Sequence, residues 1–299
     1  MKLIESKVEV IEQQPGLDGV YKQIELAGRT CYKSEDKITE DSAKSFVDRM
    51  IKSKHGAMLE HGTVYLEIAE EDDDAGAVIF FENNKYSKSV YHEGLGYYYI
   101  TTNMRVLVEN DRLDLLRRYH CEPTKYHEKR ITARFTCDRG VSHEIVRHRV
   151  MSFAMESTRY CNYEKDKFGN ELTYISPSWL DINKLLPLVD LANKDNKEVY
   201  RMGHDESLSD EDRAMCSFIY DISNCEHGYL FQIKCGWQAQ QARQLLPNAL
   251  KTEIVVTGFE SDWEHFFSLR SPKAGAQGAH PDIAKLADEL YEKLNSVNK

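Results

Sequence analysis

The expected fold class is α/β (α+β), with a central, mostly antiparallel sheet flanked by helices. A single domain spans residues 1–299 and carries an inserted hairpin-and-helix segment at about 69–130. Three observations lead there. Short runs rich in β-branched and aromatic residues recur between longer stretches whose apolar residues fall at helical spacing. Breakers such as Pro15-Gly16, His55-Gly56 and Pro247 separate them. A chain of 299 residues with 41% hydrophobic content can bury a full core.

Lys7 to Ile11 alternates as a short strand, and a helix follows Pro15-Gly16 from about Leu17 to Leu26. Ala27 to Tyr32 reads as a compact turn. Thr39 is a suitable N-cap for a helix over about Glu40 to Lys54, with Ala43, Phe46, Val47, Met50 and Ile51 on one face. Thr63 to Ile68 has the composition of a strand, and His61 stands where it begins. Beyond Ile68 the character changes. The acidic run Glu70 to Asp74 reads as a solvated loop, because its carboxylates lack the spacing of a calcium loop. Val78 to Phe81, Tyr97-Tyr98-Tyr99 and an amphipathic stretch from Met104 to Tyr119 supply the inserted hairpin and helix, with the tyrosines expected in packing.

Ile131 to Cys137 returns as a strand, and Gly140 to Val146 begins a helix. The region from Tyr160 to Pro177 is loop-rich. Leu180 to Asn196 and Asp210 to Leu230 are helical by apolar spacing, the second capped by Ser209. Gln238 to Leu246 forms a helix ended by Pro247. Ile254 to Gly258 is a strand, Asp262 to Leu269 a helix, Ser271 to Ala276 a loop and Pro281 to Leu294 the last helix.

A net charge of −10 and a pI near 5.6 oppose wholesale binding to nucleic acid or to an anionic membrane, which call for a broad positive field. Any anion must meet a local basic pocket. The seven cysteines lack the C-x-x-C interval of a zinc site and read as free thiols. No apolar run is long enough to cross a membrane, so a cytoplasmic protein is expected.

One segment concentrates the chemistry. Arg147-His148-Arg149 runs through Glu156 to Ser157 and Arg159, a basic island in an acidic chain. Arginine forks suit phosphate or a pyrimidine carbonyl, and Arg243 and Arg270 could join them, although Glu144 stands at i,i+3 to Arg147 and could pair with it instead. His143 and His148 are five residues apart, one too many for the two histidines of a zinc-protease helix, so no metal site is assigned. Ser157 lacks the G-x-S-x-G elbow of an esterase nucleophile, and a phosphate hydrogen bond is its better use. Neither a P-loop nor a G-x-G-x-x-G is present.

Arg147-His148-Arg149 followed after seven residues by Ser157 resembles the signature of the flavin-dependent thymidylate synthases. Further matches follow in the same order at Gly28-Arg29, Lys54-His55-Gly56, Glu60-His61, Arg159, Ala242-Arg243, Leu246-Pro247, Trp263, His265-Phe266 and Leu269-Arg270. The resemblance implies a homotetramer with active sites at subunit interfaces. It implies reductive methylation of dUMP to dTMP, with FAD as cofactor, methylenetetrahydrofolate as carbon donor and NADPH as reductant. It also places His61, Arg147, His148, Arg149, Glu156 and His265 at FAD, and Glu144, Ser157, Arg159, Arg243 and Arg270 at dUMP. Of these, Ser157, Arg159 and Arg270 carry the catalytic contacts. The dUMP end and the flavin end of the island are thereby separated by a seven-residue spacer.

Two places depart from the family pattern. Glu144 stands where glutamine is frequent, and Phe259 and Ser261 stand where asparagine and arginine are usual. A competing class is a nucleotide- or RNA-binding module without chemistry, its tyrosines stacking bases. The acidic total and the dispersed matches weigh against it.

Overall fold

The computed structural model describes residues 1–72 and 76–296. Strands β1 (Lys2–Ile4) and β2 (Lys7–Ile11) lead into helices α1 (Gly16–Tyr32), α2 (Ser42–Lys52) and α3 (Gly56–Leu59). Next come β3 (Thr63–Ala69), α4 (Ala77–Glu82), β4 (Lys88–His92), β5 (Tyr97–Asn103), α5 (Met104–Glu109) and α6 (Leu113–Tyr119). The second half contains β6 (Arg130–Asp138), α7 (Arg139–Ile145), β7 (Ser152–Met155) and β8 (Thr173–Ile175). It closes with α8 (Ile182–Gly203), α9 (Asp210–Lys234), α10 (Ala239–Ala242), β9 (Lys251–Phe259), α11 (Glu260–Arg270) and α12 (Pro281–Ser296).

The helix-and-sheet class and the antiparallel pairing match expectation, but the strands divide among three sheets. The central one has the order β2-β6-β9-β7, and every neighbouring pair in it is antiparallel. β6 and β9 lie inside it and are mostly buried, β9 through its apolar run Ile254-Val255-Val256 and β6 through its alternate Ala133, Phe135 and Cys137. β7 escapes notice in the sequence because Ser152-Phe153-Ala154-Met155 has no β-branched residue; pairing with β9, Ser152 opposite Thr257, makes it a strand. A second sheet, β3-β5-β4, is wholly antiparallel, and a two-stranded ribbon pairs β1 parallel to β8.

Residues 77–119 share a core with the N-terminal helices. Phe81, Ile100, Leu107 and Leu115 belong to one buried cluster with Val20, Ile24 and Phe46. A second core lies between α8 and α9, and a third packs α7, α11 and α12 on the central sheet. Among the described residues, no helix is long and apolar enough to cross a membrane.

Several local expectations are corrected. Ala27 to Tyr32 continues α1 rather than turning, because Gly28 lets the helix approach Phe46: a Cβ at Gly28 would lie 2.7 Å from Phe46 Cε1. Lys33, with φ of 45°, ends the helix. Val78 to Phe81 is helical, and the amphipathic stretch breaks into α5 and α6 at Asp111, which has φ of 57°. Gln238 to Leu246 holds only the short α10 and a 3-10 turn. Asp41, not Thr39, precedes α2. Of the acidic run, Glu70–Asp72 forms a 3-10 turn, while Asp73 and Asp74 lie outside the described residues.

Candidate active site

The basic island is laid out by the central sheet. Asp138 caps α7 by accepting the Val141 N–H at 2.9 Å, and α7 ends at Ile145. The Arg147-His148-Arg149 segment is the tight turn that follows, closed by His148 N–H to the Ile145 carbonyl and by Met151 N–H to the His148 carbonyl. β7 then carries the chain along β9 to Glu156 and Ser157.

At the α7 end, four expected site residues meet. The Arg270 guanidinium, at the last turn of α11, donates to Glu144 at 2.6 Å and approaches His148 Nε2 at 3.4 Å. The His148 ring packs edge-on against Phe266, with centroids 4.9 Å apart, and lies 6.2 Å from His265. Burial, then the charges of Arg270 and His265, hold His148 down to about 4, so its ring is neutral near pH 7. With Nε2 accepting from Arg270, the proton sits on Nδ1. Glu144 therefore pairs with Arg270 and not with the adjacent Arg147. Arg147 and Arg149 flank His148 with exposed side chains that have no ion pair among the described residues.

At the other end, the Ser157 N–H donates to the Cys31 carbonyl at 3.0 Å, and its Oγ accepts the Arg159 N–H at 3.3 Å. The Arg159 guanidinium lies over Tyr160, whose ring is 5.3 Å from Tyr32. β7 alone sets the two ends roughly 10 Å apart at about 3.3 Å per residue. A cavity of about 490 Å³ that Glu144 lines includes neither Ser157 nor Arg159.

The remaining expected residues lie elsewhere. His61 is wholly buried, with Nδ1 2.9 Å from Thr257 Oγ1 and no partner in hydrogen-bond geometry for Nε2. Burial, reinforced by Arg130, lowers it to about 3. Glu156 is buried and has both oxygens engaged, by Tyr163 O–H at 3.0 Å and Lys251 Nζ at 2.9 Å. Arg243 is exposed on the 3-10 turn after α10, and its side chain has no ion pair among the described residues.

The network beneath Glu156 went unseen in the sequence. Lys251 bridges Glu156 and Glu253, and Lys33 bridges Glu253 and Glu35. Burial pushes the Glu253 carboxyl up, but Lys251 and Lys33 outweigh it and bring it down to about 2. A signal existed: Lys251 and Glu253 are two apart and so share one face of a strand, at the start of an otherwise apolar run. Phe259 and Ser261, where the family pattern lapses, are met by Lys88 over the Phe259 ring and by Glu128 accepting from the Ser261 hydroxyl.

Set beside known proteins, residues 112–298 match the family model described as thymidylate synthase complementing protein. Curated relatives include flavin-dependent thymidylate synthases. That of Geobacter sulfurreducens is 26% identical over 159 residues, 53% of each chain. That of Corynebacterium efficiens is 30% identical over 160 residues, 52% of this chain and 53% of the relative. That of Mycobacterium tuberculosis is 28% identical over 163 residues, 53% of this chain and 54% of the relative. The chain thus spans about half the length of the curated relatives it matches. A solved structure of the UMP/dUMP methylase PolB from Streptomyces cacaoi, bound with 5-Br UMP, aligns over 99% of this chain and 92% of its own, with TM-score 0.45 and 15% identity. His61 and Gly28-Arg29 precede the segment matched by the family model.

Proposed function

The chain belongs to the thymidylate synthase complementing protein family, and from that premise we propose that it converts dUMP to dTMP by reductive methylation, with FAD as cofactor, methylenetetrahydrofolate as carbon donor and NADPH as reductant. The observation that carries the proposal is the convergence of Glu144, His148, His265 and Arg270 beside the exposed Arg147 and Arg149. Two guanidiniums without an ion pair among the described residues suit the phosphates of a dinucleotide cofactor, and a neutral, buried imidazole suits a polar ring. The side chains at this end therefore fit FAD, and Arg147, His148, Arg149 and His265 would hold it. When bound, FAD supplies the reducing equivalents; the chain supplies binding and orientation.

Arg159 and the Ser157 hydroxyl offer a charge-assisted cradle for the dUMP phosphate. Arg270 adds a fixed cation where negative charge develops on an activated uracil, the kind of preorganised field that lowers a barrier most. Glu144 restrains that guanidinium and leaves its remaining N–H groups to the ligand. His61, below the sheet surface, and Glu156, held by Tyr163 and Lys251, act on the flavin side by fixing β7 and β9. Arg243 reaches dUMP from a neighbouring copy.

Because Ser157 and Arg270 stand at opposite ends of β7, copies of the chain complete each other's sites in a homotetramer. The role is cytoplasmic, where dUMP and reduced folate meet. Synthesis of dTMP is measured with dUMP, FAD, NADPH and methylenetetrahydrofolate, omitting each in turn; loss of product at every omission is expected. Product formed without flavin overturns the assignment.

A further inference from the structure

In a chain with a net charge of −10, a cluster of basic side chains makes a local positive field suited to an anion. One cleft holds such a cluster. A cavity of about 520 Å³ between α1, α2 and the loop after Ser157 is lined by Arg29, Lys37, Arg49, Lys165 and Lys167, with Asp36 as its carboxylate. Arg29 is paired with Glu25, and Lys167 donates to the Lys33 carbonyl at 2.7 Å. Among the described residues, Lys37, Arg49 and Lys165 are exposed and form no ion pair.

The cleft adjoins the nucleotide end of the basic island. Tyr32 lines it, and this residue follows Cys31, whose carbonyl accepts the Ser157 N–H. A single phosphate carries a charge of about −1.5 to −2, and Ser157 with Arg159 already serves one. With Arg29 neutralised by Glu25, four further cations against one carboxylate exceed that need and suit a ligand with a diphosphate and an additional phosphomonoester.

We propose that this cleft binds the phosphorylated adenosine end of NADPH, with Lys37, Arg49 and Lys165 facing its phosphates. The proposal rests on the reading of the protein as an NADPH-driven enzyme, and it assigns that reductant a place beside, not within, the dUMP site. A basic side chain near the ribose is the general means of preferring a 2′-phosphate over a hydroxyl.

The test titrates 2′,5′-ADP, NADPH, NADH and dUMP into the full-length protein by calorimetry at low and high salt, comparing wild type with Lys37→Glu/Arg49→Glu and with the milder Lys165→Ala. Circular dichroism confirms that each variant folds. For the double charge reversal, 2′,5′-ADP and NADPH are expected to weaken at least ~10-fold, from the Coulomb energy of exposed pairs, while flavin and dUMP affinities hold. Salt should reproduce the loss in wild type. Three results each overturn the proposal: no 2′,5′-ADP binding to wild type, equal binding by the variants, or a loss confined to dUMP. If dUMP and flavin fail to bind wild type, the enzyme assignment falls, and the 2′,5′-ADP titration still decides the cleft.

Discussion

Glu253→Gln removes the one carboxylate shared by Lys33 and Lys251 while preserving shape. Glu253 is drawn from the ordinary 4.5 to about 2, and that depression corresponds to a native-state stabilisation on the order of 3 kcal/mol at neutral pH. Lys251 keeps Glu156 and Lys33 keeps Glu35, so the variant should lose about 1–3 kcal/mol rather than leave two buried ammonium groups bare. The sign with pH is fixed. Because the folded pKa lies below the unfolded one, the unfolded chain takes the proton first as pH falls. The stabilisation is complete above about pH 4.5 and disappears as pH falls toward about 2. Urea unfolding of wild type and Glu253→Gln at pH 7 and at pH 3 measures this, and the gap between them should narrow at the lower pH. A gap that stays constant across that window refutes the electrostatic account and leaves packing as the cause.

Gly28→Ala gains up to about 1 kcal/mol of helix propensity, but its Cβ would press on Cζ and, at 2.7 Å, on Cε1 of the buried Phe46 ring, and overpacking of about 1–3 kcal/mol should win; a lowered thermal midpoint, restored by Phe46→Leu, is the expected result. Ser157→Ala should weaken dUMP roughly 10-fold or more through loss of a charge-assisted hydrogen bond while flavin absorbance is retained; unchanged dUMP affinity in equilibrium dialysis would sink the phosphate role. Mixing Ser157→Ala with Arg270→Ala, at dUMP too low to saturate either variant, should raise activity above that of the separate variants if subunits complete each other's sites, whereas mixtures no more active than their components would place each site within one protomer.

Much of the architecture was legible because it is written in contiguous residues. The helical spacing and Ser209 cap marked α9, and the apolar run marked β9. Where a segment's state depends on a distant partner, the sequence misled. Gly28 resembles a turn former until Phe46 is seen against it, and Ser152–Met155 becomes a strand only through β9.

The sequence by itself determined the class of fold and the basic island, since periodicity, capping and fixed charge are properties of neighbouring residues. Only the tertiary structure decided which charges meet. It gave Glu144 to Arg270, 126 positions away, over Arg147 three away, enclosed Glu156 with Tyr163 and Lys251, and assembled a basic cleft from α1, α2 and the loop beyond Ser157. The reason is physical: a side chain's partner is set by the packing of elements on a sheet, and the central sheet places the ends of β7 against parts of the chain that no local pattern connects.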